Sequence, residues 1–511
     1  MFQSLTDLVQ IEVARGSIAE LFDAHAEWFC APGKGSSQAL RRNEMEIATS
    51  QGRLMFSCWT EKGTRSWRIL AWDWNGETLS LQASRRMGAE LSVIELIPRA
   101  SAKVIAATIR AARQVRCDRL AELSSTTAPA TKVERSALSP GVRRGQPGRF
   151  ARILLRQKHQ RIAVTGSVVT SHAGEVDAFL ASALLWFTRI SERARPPYIQ
   201  QLWLVVEEKQ VKPIFQRLVL FRQGLKEMIS IFTIDEALTT IVPLVCPERR
   251  ELLQKRLPRF PPVSEPQLTE LAAAVLTQAP ESIDVVHARH GETLRYLGLP
   301  FARVRCVLGD ERIWFGIEGA RRRILDKNTE GEWNALFHEL REHRSADASD
   351  HHHALYRAAS EAWLESLLRR DITRLDPGLI IAPLHAQFRT ARGGRLGVRP
   401  IDLLALRRDG RLVVIELKVF EDREHVLQGA DYWQRVETHR RRGHISRAKL
   451  FGERKIRDET PLVYLVAPTL RVHPSFDTLA RCIAHDIEIY RFDINEGWRA
   501  GVRVMRRSRV N

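Results

Sequence analysis

The amino-acid sequence predicts an α/β, multidomain protein, and three observations carry that expectation. Runs of β-branched residues, such as "RLVVIELKV" at 411–419, alternate with apolar stripes of helical period, such as "EVDAFLASALLWFTRISERA" at 175–194. At 511 residues the chain suits about three or four hydrophobic cores. A hydrophobic fraction of 44% and a mean hydropathy of −0.25 are those of a globular chain.

Residues 1–123 read as an α+β domain of unknown role. Strands are expected near 52–59, 66–83 and 91–99, with Asn75-Gly76 as a hairpin turn and a helix near 102–115. Trp67, Trp72 and Trp74 suit the core of a small sheet better than a base-stacking platform. Residues 124–148 are rich in Ser and Thr, contain three prolines and no aromatic residue, and read as a linker. Residues 149–257 read as an α/β domain of unknown role with a βαβ-like layer, and Pro258, Pro261, Pro262 and Pro266 mark its end. A small auxiliary α+β domain is expected over 267–345, and a final domain over 350–511.

That final domain should be a mixed sheet flanked by helices. Its expected order is helix 354–370, strand 379–388, a hairpin of 400–406 and 411–420, helix 424–441, strand 462–467, helix 475–484, and strands near 487–493 and 499–506. In the hairpin, Arg408-Asp409-Gly410 reads as a three-residue turn with Gly410 at positive φ. Arg407 then faces Arg411, and stepwise pairing sets Asp402 opposite Glu416, with Cβ atoms about 5 Å apart. Facing carboxylates destabilise a sheet unless a cation sits between them. Lys418 projects from the same face as Glu416, two residues on. Gln428 and Tyr432 share a helix face one turn apart. Upstream, Ala354, Leu364 and Leu368 form an apolar stripe with Glu361 in its middle, where an acid needs a partner.

This pattern resembles the PD-(D/E)xK, or restriction-endonuclease-like, nuclease superfamily, on Asp402, Glu416 and Lys418. The Q-x-x-x-Y element of Gln428 and Tyr432 resembles the RecB-like branch, and the run "GRLVVIELK" resembles the NucS-type endonucleases. The likeness covers about a third of the chain, and Ile401 separates Pro400 from Asp402 where the name motif has them adjacent. It implies a metal-dependent nuclease that hydrolyses DNA phosphodiester bonds, in repair, recombination or defence. It also implies Mg²⁺ or Mn²⁺ held by Asp402, Glu416 and the Leu417 backbone carbonyl, with Glu361 completing the shell. Lys418 would act on the attacking water, and Gln428 and Tyr432 would position the substrate. Glu361 matches the family's first-helix acid better than Glu365. Endonuclease and exonuclease readings stay open. So does a catalytically inactive nucleic-acid-binding or regulatory protein that retains the fold; an RNA substrate ranks below DNA.

Charge agrees with a polyanionic partner. The formal net charge is +19, and residues 351–511 hold 30 Lys and Arg against 20 Asp and Glu. Arg440, Arg441 and Arg442 are the candidate nucleic-acid-binding cluster. No run of about 18 apolar residues is long enough for a membrane span, no basic segment precedes an apolar run at the start, and the six cysteines lack C-x-x-C spacing; a cytoplasmic protein is expected. His351-His352-His353 reads as a solvated loop, and "RGGRLG" with Gly393, Gly394 and Gly397 as a turn. A phosphate-cradling P-loop and a G-x-S-x-G elbow are both missing from the sequence.

Overall fold

The computed structural model describes residues 2–5, 7–32, 38–60, 63–76, 78–85, 90–98, 102–141, 147–158, 160–169, 176–193, 195–235, 237–253, 268–288, 291–307, 309–317, 323–388 and 400–511. The chain is a mixed α/β, multidomain protein with several sheets, divided into two compact units. The proline-marked boundary at 258–266 and the "RGGRLG" turn lie outside the described residues.

The first unit comprises Met1–Leu155 with two short later segments. Asp7 caps the helix Leu8–Asp23 by accepting from the Gln10 N–H at 2.8 Å, and the helix buries Ile11, Ala14, Ile18 and Phe22. These side chains join a core with Trp28, Phe56, Trp67 and Trp72. Trp67 stacks on Phe56 at 5.7 Å, so this tryptophan stripe is core. The expected linker is a correction. Residues 124–127 end the helix Ala102–Thr127, and Lys132–Pro140 is a strand. Hydroxyls that read as loop chemistry bond back into the helix instead: Ser124 donates to the Leu120 carbonyl, and Thr126 and Thr127 to that of Leu123.

In the second unit, helix α1 (Val176–Arg193) precedes strand β1 (Ile199–Glu207), helix α2 (Glu208–Leu218) and strand β2 (Ile229–Ile234). β1 and β2 pair in parallel, from Leu202↔Ile229 to Glu207↔Ile234, with α2 as the crossover. Five strands between Ile283 and Ile324 then form an antiparallel sheet in sequence order. The helix Glu330–His343 packs Trp333, Phe337 and Leu340 against it.

The last module is built from helices α3 (Ala354–Arg357) and α4 (Ser360–Arg370), strands β3 (His385–Phe388), β4 (Ile401–Leu406) and β5 (Leu412–Leu417), helices α5 (His425–Arg441) and α6 (His444–Arg447), strand β6 (Leu462–Pro468), helix α7 (Phe476–Ala480), and strands β7 (Ile489–Ile494) and β8 (Val504–Arg509). Its sheet runs β3-β4-β5-β6-β7-β8. The β5–β6 and β6–β7 pairs are parallel, and the others antiparallel. α5 covers one face, with Tyr432 and Val436 in a core with Leu404, Leu412 and Val414. The other face shares one continuous core with the five-stranded sheet, from Ala272 to Val502.

The helix expected over 354–370 is broken. Ala359 sits at φ +43 between α3 and α4, which shifts the helical phase and leaves Ala354 exposed while Leu364 and Leu368 stay buried. Arg344 holds this break. Its guanidinium is fully buried and donates to four carbonyls, Tyr296 at 2.9 Å, Leu297 at 2.8 Å, Leu355 at 2.7 Å and Ala358 at 2.7 Å. Burial, with the Arg499 charge nearby, pushes it down to about 9, so it keeps its charge at neutral pH. Arg344→Met should leave these carbonyls unpartnered and lower the unfolding free energy by about 3 kcal/mol or more, read from urea melts. Arg344→Lys should recover only part, because an ammonium has three donors.

Candidate active site

The β4–β5 hairpin sets the geometry. Gly410 takes φ +87, the Gly410 N–H donates to the Arg407 carbonyl, and the Arg407 N–H donates to the Arg411 carbonyl, both at 2.9 Å. Pairing runs from Leu406↔Leu412 to Leu403↔Ile415. Asp402 and Glu416 each lie one residue beyond the last pair of this ladder. The Leu417 N–H donates to the Asp402 carboxylate at 2.8 Å, while the Leu417 side chain is in the core. The Lys418 N–H donates to the Val466 carbonyl at 2.9 Å and extends the parallel ladder just past β5.

Glu416 and Lys418 are 2% and 8% exposed, and Asp402 is half-buried. The Lys418 ammonium donates to Glu416 Oε1 at 2.7 Å and lies 4.0 Å from Asp422. Glu416 Oε2 is buried with no hydrogen-bond partner. Burial, then the Glu416 charge, raises Asp402 well above the usual carboxylate range. Burial also raises Glu416; Lys418 opposes it by charge and hydrogen bond, Glu361 adds to it, and a hydrogen bond with the Asp402 carboxyl opposes it further. Burial works against the Lys418 charge, but Glu416, Glu361, Asp402 and Asp422 together outweigh it and hold the ammonium protonated. One cation thus faces several carboxylates, a deficit of positive charge.

Glu361 opens the first turn of α4 and is exposed, not embedded in an apolar stripe, because the break at Ala359 changes its phase. It still reaches the set electrostatically, since it raises Asp402, Glu416 and Lys418. Glu365 is buried elsewhere, paired with Arg295 at 3.2 Å. Gln428 and Tyr432 are both buried on α5. Gln428 Nε2 donates to Glu424 at 3.4 Å, and its buried Oε1 has no partner. Burial and the charges of Glu416 and Asp402 push the Tyr432 phenol up, so it stays protonated beside them.

Two residues escaped the sequence reading, Asp422 and His425. His425 Nε2–H donates to the Glu416 backbone carbonyl at 3.2 Å. Burial and the Lys418 charge push its pKa down to about 3, leaving a neutral ring. The signal was present: His425, Gln428 and Tyr432 fall at i, i+3 and i+7 on one face.

The arginine cluster separates into different environments. Arg440 is largely buried and donates to the fully buried Glu437 at 2.7 Å and to Asp458. Arg441 is half-exposed and donates to the same Glu437 at 2.5 Å. The Arg442 carbonyl accepts from Arg447. Arg440 and Arg441 therefore neutralise Glu437 at the end of α5. In the histidine run, His353 Nδ1 accepts from the Leu355 N–H and His351 stacks on Tyr356 at 4.5 Å, with His351 and His352 exposed.

Among the described residues, no group of three or more His, Cys, Asp or Glu side chains is arranged as a metal site. Asp402 and the orphaned Glu416 Oε2 nevertheless form a hard-oxygen pair. Two carboxylates suit Mg²⁺ or Mn²⁺, since Mg²⁺ usually keeps several waters and takes one or two carboxylates. The chain matches no protein-family model, no curated protein and no solved structure.

Raised carboxyl values mean that the folded chain binds these protons more tightly than the unfolded one. Their contribution to stability is complete below the ordinary carboxylate range and is lost as pH rises through the raised values. In metal-free buffer the parent should therefore lose this contribution on going from pH 4 to pH 8. Asp402→Asn keeps an acceptor for the Leu417 N–H and removes one surplus charge. It should melt about 2–4 °C above the parent at pH 8 and show a smaller difference at pH 4, by calorimetry.

Proposed function

We propose that the last module is a metal-dependent nuclease that hydrolyses DNA phosphodiester bonds, of the PD-(D/E)xK, restriction-endonuclease-like kind. The observation that carries this reading is the buried, unpartnered Glu416 Oε2 beside Asp402, with Lys418 on the same sheet face. The strand order supports it, since an antiparallel hairpin bearing the acids feeds a parallel strand through a helix bearing Gln428 and Tyr432. The Arg- and Lys-rich composition supports a polyanionic substrate.

In this reading Asp402 and Glu416 would hold Mg²⁺ or Mn²⁺, with Glu361 at the exposed side. When bound there, such an ion would supply activation of the attacking water and would offset charge on the phosphoryl oxygens. Lys418 is held as an ammonium by the surrounding carboxylates, so it acts as a cation toward a phosphate oxygen and orients the water, leaving proton acceptance to a carboxylate. Tyr432 supplies a protonated phenol beside the acids. His425 stays neutral and fixes the Glu416 backbone through its carbonyl. Water adds to phosphorus, and the P–O bond to the leaving strand breaks.

A second reading is a nucleic-acid-binding or regulatory protein that keeps the fold without cutting. It is favoured by the occupation of Glu416 Oε1 by Lys418 and by the lack of a three-side-chain ligand group among the described residues.

The test is incubation with supercoiled plasmid, linear duplex, flap and single-stranded DNA in Mg²⁺, Mn²⁺ or EDTA. The nuclease reading predicts metal-dependent cuts that Glu416→Gln abolishes. Lys418→Ala should lower the single-turnover rate about 10²- to 10³-fold, the loss typical of one charge-stabilising donor, with affinity changed only a few fold. Cleavage at the parental rate by Glu416→Gln in Mg²⁺ would refute the reading, and DNA binding with no cleavage in any metal would favour the second.

A further inference from the structure

The module over 176–253 has no assigned role, yet it reaches the helix that carries Gln428 and Tyr432. Arg217, in the last turn of α2, is buried. Its Nε and Nη2 donate to the two oxygens of Asp177 on α1, at 2.7 and 3.2 Å. Its Nη1 donates to Asp431 on α5, which also pairs with Arg435. The Arg435 guanidinium lies over the Tyr432 ring, 5.2 Å from its centroid. Two guanidiniums and two carboxylates thus form a neutral quartet, with Arg217 and Asp431 buried and Asp177 and Arg435 partly so, that joins three helices.

Further contacts make this a docked surface. Arg249 lies over the Trp433 ring at 4.5 Å and pairs with Asp486 at 2.7 Å. The Arg222 N–H donates to the Cys482 carbonyl at 2.9 Å, and the Ala484 N–H to the Leu220 carbonyl at 2.8 Å. Asp431 directly precedes Tyr432 and is three residues beyond Gln428, so fixing it fixes the rotation of α5 about its axis. The opposite side of α5 is tightly packed, since a Cβ on Gly429 would lie 2.6 Å from Leu465 Cδ2. The helix is clamped between the sheet and Arg217.

We propose that Arg217 is a positioning residue: through Asp431 it sets the orientation of α5 and hence of Gln428 and Tyr432 at the candidate active site, which makes the 176–253 module part of that site's machinery. The catalytic half of this statement rests on the nuclease reading; the clamp itself does not. A bidentate arginine fork defines direction as well as charge, so lysine cannot replace it fully.

The experiment uses the full chain and three variants: Arg217→Gln, Arg217→Lys, and the charge-balanced Arg217→Gln/Asp431→Asn. The double variant removes one charge of each sign, so Asp177 and Arg435 keep the set neutral overall, which guards against simple unfolding. Hydrogen exchange read by mass spectrometry should show faster exchange over residues 425–435 in Arg217→Gln and the double variant, with exchange over 412–417 and 462–468 unchanged. Single-turnover cleavage should fall about 10- to 100-fold, the scale of a misplacement near 1 Å, while DNA affinity stays within about threefold and Arg217→Lys falls between. Unchanged exchange over 425–435 in the folded double variant would overturn the clamp whatever the rate does. Altered exchange with a parental rate would overturn the positioning role. A parent chain that cuts no DNA in any metal would refute the nuclease reading and with it the catalytic half of the proposal, and the exchange data would still decide the clamp.

Discussion

The register of one hairpin governs the rest. A three-residue turn closed by Gly410 commits the β4–β5 ladder to a register that ends at Leu403↔Ile415, and just beyond it the Asp402 and Glu416 carboxyls meet. A slip of one residue would send one acid to the opposite face. The energetic consequence is a buried excess of negative charge. Lys418 offsets part of it, and the raised Asp402 and Glu416 carboxyls register what is left. A divalent cation between hard oxygen donors is the simplest group to remove that excess.

The surroundings prevent this strain from relaxing. β5 is buried along its whole length and pairs on both sides, so Glu416 cannot swing toward solvent without breaking a central ladder. His425 ties the Glu416 carbonyl to the start of α5, and α5 is held in turn through Asp431. Elsewhere the chain buries charge in balanced sets. Arg295 lies among Asp284 and Glu365, and Arg440 and Arg441 converge on Glu437. Arg344, with no acid, is satisfied by four carbonyls. At the candidate site two buried oxygens, Glu416 Oε2 and Gln428 Oε1, are left without a hydrogen-bond donor.

Much of this was legible in the sequence because it is local. Turn chemistry at 408–410 fixed the register, strict alternation fixed the faces, and the i, i+4 spacing of Gln428 and Tyr432 put both on one side of α5. What was not legible depends on which partner each side chain takes in the fold. The helix over 354–370 looks continuous, but Arg344, which donates to the Ala358 carbonyl, stabilises a left-handed Ala359 that splits it and moves Glu361 to the surface. Arg440 looks like a surface cation until Glu437 and Asp458 are seen to claim it. The Ser/Thr run at 124–127 has linker composition, and only back-bonding to helix carbonyls makes it helical. The use of Arg217 by α5 spans 214 residues of sequence and left no local signal.

The proposed function stands or falls with a divalent-cation site at the Asp402–Glu416 pair. Direct Mn²⁺ binding, followed by the loss of the free-ion electron paramagnetic resonance signal on titration with the metal-free full chain, tests it without depending on any substrate. Such a site predicts saturable binding by the parent at pH 8, weakened at pH 5 because the raised carboxyls must lose protons to bind. It also predicts severe weakening in both Asp402→Asn and Glu416→Gln. Equal Mn²⁺ uptake by the parent and both variants, or none by the parent at pH 8, would contradict it.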